Sequence, residues 1–229
     1  MLSALIPVKG FTNAKQRLSP ILAAAERELL AETMLRDVLR QVVPVPQLDK
    51  TFVVTVDKRI SDIASSLGAC VIQEETERGE TEAVVFAFEE MKHRGIRSVL
   101  VLPADIPLVR SSDIELLLDK ASGWDPTVPF ALLVPSHDHM GTNALLLSPP
   151  EVIKLRFGTD SFRYHLGNVA ARGLPPRILE NKRIGLDIDE PKDLQLLLSA
   201  GKGSGDTYEM VLRMGVVGEA PNTHQSEKP

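Results

Sequence analysis

A chain of 229 residues, 43% of them hydrophobic, is long enough to bury a substantial core, and α/β domains of this size are commonly single. Its formal net charge of −5 argues against general nucleic-acid binding, its single cysteine excludes disulfides and cysteine-based zinc clusters within the chain, and no stretch approaches the roughly 18 apolar residues of a membrane span. Only a short apolar run precedes Lys9, without the h-region of a signal peptide, so a cytoplasmic protein with no nucleic-acid or membrane partner is the expectation.

The first apolar run, Ser3 to Val8, predicts a strand that enters a loop carrying Lys9, Lys15 and Arg17, with no acid before Glu26. Open α/β sheets bind ligands just past strand C-terminal ends, so three cations placed there suit a polyphosphate. Pro7 and Gly10 punctuate the loop, and Ser19-Pro20 reads as an N-cap followed by proline at the first helical position. Neither Gly-x-x-x-x-Gly-Lys-Ser/Thr nor Gly-x-Gly-x-x-Gly occurs, so positive charge has to come from side chains rather than backbone amides. A solvated basic edge is the plain alternative.

A helix is expected from Pro20 to Val43, where Leu30, Met34, Val38 and Val42 form an inward stripe and Pro44 and Pro46 end it. Thr51 to Val56 reads as a strand, Ile60 to Leu67 as a short helix, and Ala69 to Ile72 as a strand holding Cys70 as a buried structural thiol. Thr81 to His93 then reads as a helix stopped by Gly95, and Ser98 to Leu102 as a strand. This alternation predicts a Rossmann-like half with a parallel sheet covered by helices. After a helix near Ser112 to Ala121, Phe130 to Val134 and Asn143 to Leu147 leave no room for a crossover helix, which predicts an antiparallel pairing and a mixed sheet. A helix at Ser161 to Arg172, strands at Arg177 to Leu179 and Gly185 to Ile188, and a helix at Pro191 to Leu198 complete a single domain over residues 1–200. Residues 201–229 read as a Gly-rich, largely flexible tail with one short helix at Tyr208 to Met214.

Three carboxylates fall at strand ends. Asp105 follows Val99-Leu-Val-Leu-Pro103, and the i, i+2 spacing of Asp187 and Asp189 points both to one face of the expected strand. Acids at strand tips beside a basic loop suit Mg²⁺ bound with phosphate oxygens. The competing readings make Asp189 a cap of the Pro191 helix and Asp105 a turn residue before Ile106-Pro107. Phe157-Gly-Thr-Asp-Ser-Phe162 offers backbone N–H groups at a helix start, a phosphate site or an ordinary N-cap at Asp160 or Ser161. His137-Asp-His139 lacks a third ligand in suitable spacing, so zinc is not expected there.

Five segments in order resemble one family. They are Pro7-Val-Lys-x-x-x-x-Ala-Lys-x-Arg-Leu18, Leu102-Pro-Ala-Asp-Ile-Pro107, Gly141-Thr-Asn-Ala-Leu-Leu-Leu-Ser-Pro149, Phe157-Gly-x-x-Ser-Phe-x-x-His165 and Asp187-Ile-Asp-x-Pro191. The pattern looks like the 2-phospho-L-lactate guanylyltransferases, CofC or FbiD, of coenzyme F(420) biosynthesis. The resemblance implies an α/β, Rossmann-like nucleotidyltransferase fold with a central mixed, mostly parallel sheet flanked by helices. It also implies transfer of GMP from GTP to 2-phospho-L-lactate, phosphoenolpyruvate or 3-phospho-D-glycerate, the product passing to the next enzyme of that pathway. Asp105, Asp187 and Asp189 would hold Mg²⁺; Lys9, Lys15 and Arg17 would grip the triphosphate, with Lys15, Arg17 and Asp105 catalytic; Thr142, Gly158 and Ser161 would bind the acceptor's phosphate. In the segment that commonly reads Gly-x-Asn-x-Ala the chain has Gly79-Glu-Thr-Glu-Ala83, which leaves Thr81 as the nucleotide-binding candidate. Another nucleotidyltransferase of the same fold, of sugar-phosphate or molybdopterin type, and a non-catalytic GTP-binding regulator are the alternatives. The missing Gly-Gly loop with its Arg-Met-Gly segment counts against the molybdopterin type. The sequence leaves the acceptor acid and the oligomeric state open, a homo-oligomer included.

Overall fold

Short apolar runs that are buried on both faces can only be the middle of a sheet covered by helices on each side. In the computed structural model, which describes residues 1–121, 128–200 and 205–215, seven strands form one sheet in the order β3-β2-β1-β4-β6-β5-β7. They are β1 (Leu2–Pro7), β2 (Lys50–Thr55), β3 (Cys70–Gln73), β4 (Ser98–Val101), β5 (Phe130–Pro135), β6 (Thr142–Ser148) and β7 (Arg177–Ile178). β1 pairs in parallel with both β2 and β4, β3 with β2, and β7 with β5, while β6 is antiparallel to β4 and β5. Only β6 therefore runs against the rest, which is the mixed sheet expected.

Period-two alternation divides the core. Ala4, Ile6 and Val53 face α1 (Ala24–Val42), α2 (Lys58–Ser66) and α4 (Ser111–Lys120), where Leu35, Val38, Ile60 and Ile114 meet them. Leu5, Phe52 and Val54 face the other way, against Val84, Phe88 and Met91 of α3 (Glu80–His93) and Phe162 and Val169 of α5 (Ser161–Ala171). A third cluster joins Leu30 and Met34 of α1 to Leu186, Ile188, Leu194 and Leu197, the last two on α6 (Pro191–Ala200), and to Val211 of α7 (Asp206–Met214). No helix among the described residues is long and apolar enough to cross a membrane.

Three expectations change. The first helix begins at Ala24 rather than Pro20, because residues 16–18 form a 3₁₀ turn and the Glu26 carboxylate accepts the Ala23 N–H at 2.7 Å, placing the cap at Ala23. Gly185 to Ile188 forms no strand: Gly185 closes a turn and accepts the His137 N–H at 2.7 Å, and the Ile188 N–H donates to the Asp105 carbonyl at 3.0 Å. Cys70 is only partly buried, since β3 is a sheet edge.

Helix α7 carries the packed core past the boundary drawn at residue 200. Its cap is supplied from another helix: buried Asp37 on α1 accepts the Thr207 N–H at 2.8 Å, the Thr207 hydroxyl at 2.7 Å and the Asp206 N–H at 3.3 Å. A Cβ at Gly205 would lie 2.9 Å from the Asp37 carboxylate, so a glycine with φ of 133° makes that approach feasible. The rest of the expected tail, 201–204 and 216–229, lies outside the described residues. Replacing Asp37 with Ala leaves these donors without their acceptor, and stability should fall by about 1 to 3 kcal/mol. Hydrogen exchange should show α7 amides losing protection before those of β1 and β4; unchanged protection at α7 would rule out the cap.

Candidate active site

The chain runs from β1 outward to β2 and β3 on one side and returns to β4 on the other, so the strand order reverses at β1. A crevice forms at the C-terminal ends of strands at such a point. Here it is a cavity of about 620 Å³ lined by the loop from Pro7 to Arg17, by Val54 and Val56 at the end of β2, by Glu74, Glu77, Gly79 and Glu80, and by Asp105 and Asp189. That volume falls in the roughly 300 to 1,000 Å³ range of small-molecule clefts.

The loop is held from inside. The buried guanidinium of Arg27 donates to the carbonyls of Leu22 at 2.8 Å and Ala14 at 3.3 Å, and Phe11 is buried beneath the loop. Asn13 and Lys15 adopt positive φ values of 62° and 52°, a backbone state that non-glycine residues keep only when their surroundings impose it. So fixed, Lys15 reaches across the cavity mouth, its Nζ 2.5 Å from Asp105 Oδ2 and 2.8 Å from Asp189 Oδ1. Burial disfavours the ammonium, but Asp105 and Asp189 outweigh it and raise the Lys15 pKa above the ordinary lysine value. Arg17 is mostly exposed and lies 3.7 Å from Glu190 and 3.9 Å from Asp189, too loosely held to be a strong pair. Lys9 is exposed on the cavity wall and makes no ion pair with any described residue.

Asp105 and Asp189 meet at Lys15, and Asp187 lies close enough to feel the charge of both, but the segment carrying Asp187 and Asp189 is not the strand expected. Leu186 and Ile188 point into the third apolar cluster, so Asp187 and Asp189 turn outward without a strand ladder. The segment is anchored by Arg183, whose guanidinium forks onto the fully buried Asp113 carboxylate at 2.5 and 2.6 Å. The capping role proposed for Asp189 belongs instead to Asp193, which accepts the N–H groups of Asp189 and Glu190 at 3.0 and 2.7 Å. Asp105 does not serve its turn either, since Oδ2 takes Lys15 and buried Oδ1 has no hydrogen-bond partner. Asp187 accepts from Asn143 Nδ2 at 3.0 Å, and burial, then Asp105, raise its pKa against that hydrogen bond. Burial also works against the charge of Asp189, but Lys15 and Arg17 prevail and hold its pKa below the usual carboxylate range. With Lys15 between Asp105 and Asp189, no group of three or more His, Cys, Asp or Glu side chains among the described residues is set to hold a metal ion as it stands.

Thr142, Gly158 and Ser161 lie together but none of them lines the cavity. The Thr142 N–H donates to Ser161 Oγ at 3.0 Å, and Thr142 Oγ1 lies 2.9 Å from His165 Nδ1. His165 Nε2 accepts the Arg156 N–H at 3.2 Å, which assigns the ring proton to Nδ1, so Thr142 Oγ1 accepts. Burial, then Arg156, push the His165 pKa down to about 4, so the ring is neutral. Thr142 and Ser161 thus each accept a hydrogen bond and keep a hydroxyl proton to donate. Gly158, with φ of 98°, turns the chain into α5, and Asn143 links the group to Asp187. Thr81 departs from expectation: it is absent from the cavity wall and its hydroxyl accepts the Phe157 N–H at 3.0 Å. Glu80 takes the wall position instead.

Solved structures share this architecture. A Desulfovibrio desulfuricans G20 protein assigned to the nucleotide-diphospho-sugar transferases superposes with a TM-score of 0.72 over 93% of this chain and 94% of its own, at 17% identity. A CMP:2-keto-3-deoxy-manno-octonic acid synthetase superposes at 0.56 over 86% of this chain and 96% of its own, at 16% identity. The fold is that of the nucleotidyltransferases. Among curated proteins, the chain is 33% identical to a phosphoenolpyruvate guanylyltransferase of Conexibacter woesei, over 91% of this chain and 94% of the relative. It is 35% identical to a 2-phospho-L-lactate guanylyltransferase of Methanothermobacter thermautotrophicus (88% and 86%) and 36% identical to a 3-phospho-D-glycerate guanylyltransferase of Colwellia psychrerythraea (84% and 89%). The model of the guanylyl transferase CofC like family matches residues 2–228, and the chain belongs to that family.

Glu80 generates a pH prediction. Burial, then Asp105, push its pKa from 4.5 up to about 7 against Lys9 and Lys15. The folded protein therefore holds this proton where the unfolded chain has lost it, and stability falls as pH rises through that window. Glu80→Gln removes the loss: without metal or nucleotide the variant should be more stable than wild type by about 2 to 3 kcal/mol at pH 8 and nearly equal near pH 4. Parallel denaturation curves at both pH values would disprove the assignment.

Proposed function

We propose that this protein joins GMP from GTP to a phosphorylated three-carbon acid in coenzyme F(420) biosynthesis, with release of pyrophosphate. The acceptor is 2-phospho-L-lactate, phosphoenolpyruvate or 3-phospho-D-glycerate, the three acids named among its relatives. One observation carries the reading: the cationic loop, Asp105 and Asp189 share a cavity at the sheet's switch point, and Asn143, next to Thr142, bonds Asp187 two residues from Asp189. We infer a cytoplasmic enzyme, since its proposed substrates and product are phosphorylated, and one that hands its product to the next enzyme of the pathway.

An oxygen of the acceptor's phosphate attacks the α-phosphorus of GTP as the bond to the bridging oxygen of pyrophosphate breaks. The attacking group is already an anion, so no general base is required, and mutual repulsion is the main barrier to approach. Lys15 and Lys9 neutralise the triphosphate, and exposed Arg17 adds a third cation. The hydroxyl protons of Thr142 and Ser161, with backbone N–H groups at the start of α5, hold the acceptor's phosphate. Thr81 fixes the Phe157 loop against the nucleotide wall.

Mg²⁺ fits this donor set: Asp105 Oδ1 is buried without a partner, and the Lys15 ammonium already stands where two carboxylates need a cation. Asp105, Asp187 and Asp189 would hold the ion. Bound there, Mg²⁺ would offset charge on the transferring phosphoryl group. Lys15 would then be released from Asp105 to the phosphates.

Mass spectrometry of products from GTP with each of the three acids, together with pyrophosphate release, tests the reading. One acid should yield a guanylylated product; no product and no pyrophosphate with any of them would favour a non-catalytic nucleotide binder. Lys15→Ala should lower kcat/KM for GTP by about 2 to 4 kcal/mol of transition-state stabilisation, and unchanged kinetics would return the loop to a solvated edge. Ser161→Ala should raise KM for the phospho-acid far more than for GTP, whereas equal effects on both would make Ser161 a brace for Thr142 alone.

A further inference from the structure

We propose that Glu74 selects the purine base, its carboxylate accepting the adjacent N1–H and N2–H donors of guanine. This rests on the GTP reading above and names the group that would recognise the base. Glu74 follows β3, and its N–H donates to the Thr55 carbonyl at 2.9 Å, extending the ladder by one residue and fixing its place on the cavity wall. It is only 7% exposed, yet Oε1 is buried without a hydrogen-bond partner and the side chain makes no ion pair with any described residue. A buried carboxylate without donors is costly to keep, and a ligand that brings N–H groups removes that cost.

Position supports the assignment. The charges that act on Glu80 are those of Asp105, Lys9, Lys15 and Asp189, whereas those that act on Glu74 are Arg78 and Glu77. Glu80 thus borders the transfer centre and Glu74 lies beyond it on the same wall. Val54, Val56 and Ala83 line the same cavity and give it an apolar wall for a flat ring.

The chemistry is selective. Guanine presents two donors side by side, matching the two oxygens of a carboxylate. Adenine and cytosine present an amino group beside a ring-nitrogen lone pair, which a carboxylate repels. Hypoxanthine keeps N1–H but lacks the second donor.

The test measures kcat/KM for GTP, ITP and ATP in wild type and Glu74→Gln by pyrophosphate release, with the accepted phospho-acid present. Wild type should prefer GTP over ITP by about ten- to a hundredfold, and the variant should bring that ratio close to one. A ratio unchanged by the substitution, or GTP and ITP falling by the same factor, overturns the inference while leaving guanylyl transfer intact. Should the amide fail to fold, Glu74→Ala, checked by its melting curve, answers the same question. Wild type that releases pyrophosphate from no nucleotide overturns the proposed function, and this inference with it.

Discussion

One ammonium group holds the site together. Lys15 Nζ bridges Asp105 and Asp189, joining the loop after β1, the end of β4 and the segment before α6. Its side chain is 10% exposed and the two carboxylates are 26% and 41% exposed, so water weakens the pairs without replacing them. The contact also explains why a loop with three cations folds closed in an acidic protein. In the proposed reaction the triphosphate would compete with Asp105 and Asp189 for this ammonium.

The cavity wall carries both signs of charge. Lys9, Lys15 and Arg17 line it together with Glu74, Glu77 and Glu80, and Glu80 lies close enough to Lys9 and Lys15 to feel their charge. Off that wall, neutral His165 accepts from a backbone amide and donates to Thr142, so a buried histidine orients a hydroxyl instead of carrying a proton in the reaction. Its depressed pKa keeps that orientation across the physiological range.

Local patterns translate into elements wherever one interaction range decides the outcome. Leu30, Met34, Val38 and Val42 recur at helical spacing and are all buried, and the runs at Phe130 and Asn143 lie too close for any crossover but a hairpin. Where a distant or displaced group competes, the local signal misleads. Ser19-Pro20 has the chemistry of a helix start, but a 3₁₀ turn consumes it and Glu26 supplies the cap four residues on. Asp187-Ile-Asp189 alternates like a strand, and the alternation does set its faces, yet neighbouring backbone is available only at Asp105.

By itself the sequence determined the family, the mixed α/β sheet, the cation-bearing loop and the three carboxylates at chain turns, because these are carried by residue type and short spacing. Tertiary structure alone decided which groups meet. Arg27 and Asp113 look like surface charges in one dimension, but each is buried and supports a segment of the site from within. Asp37 likewise caps a helix some 170 residues away, as the Thr207 N–H reaches it at 2.8 Å. Glu80 takes the wall position expected of Thr81 because helix α3 turns Thr81 toward Phe157 and Glu80 into the cavity, and no spacing rule states the absolute rotation of a helix. Pairing between residues 90 or 174 positions apart, as for Lys15, depends on loop closure and packing, which local sequence does not encode.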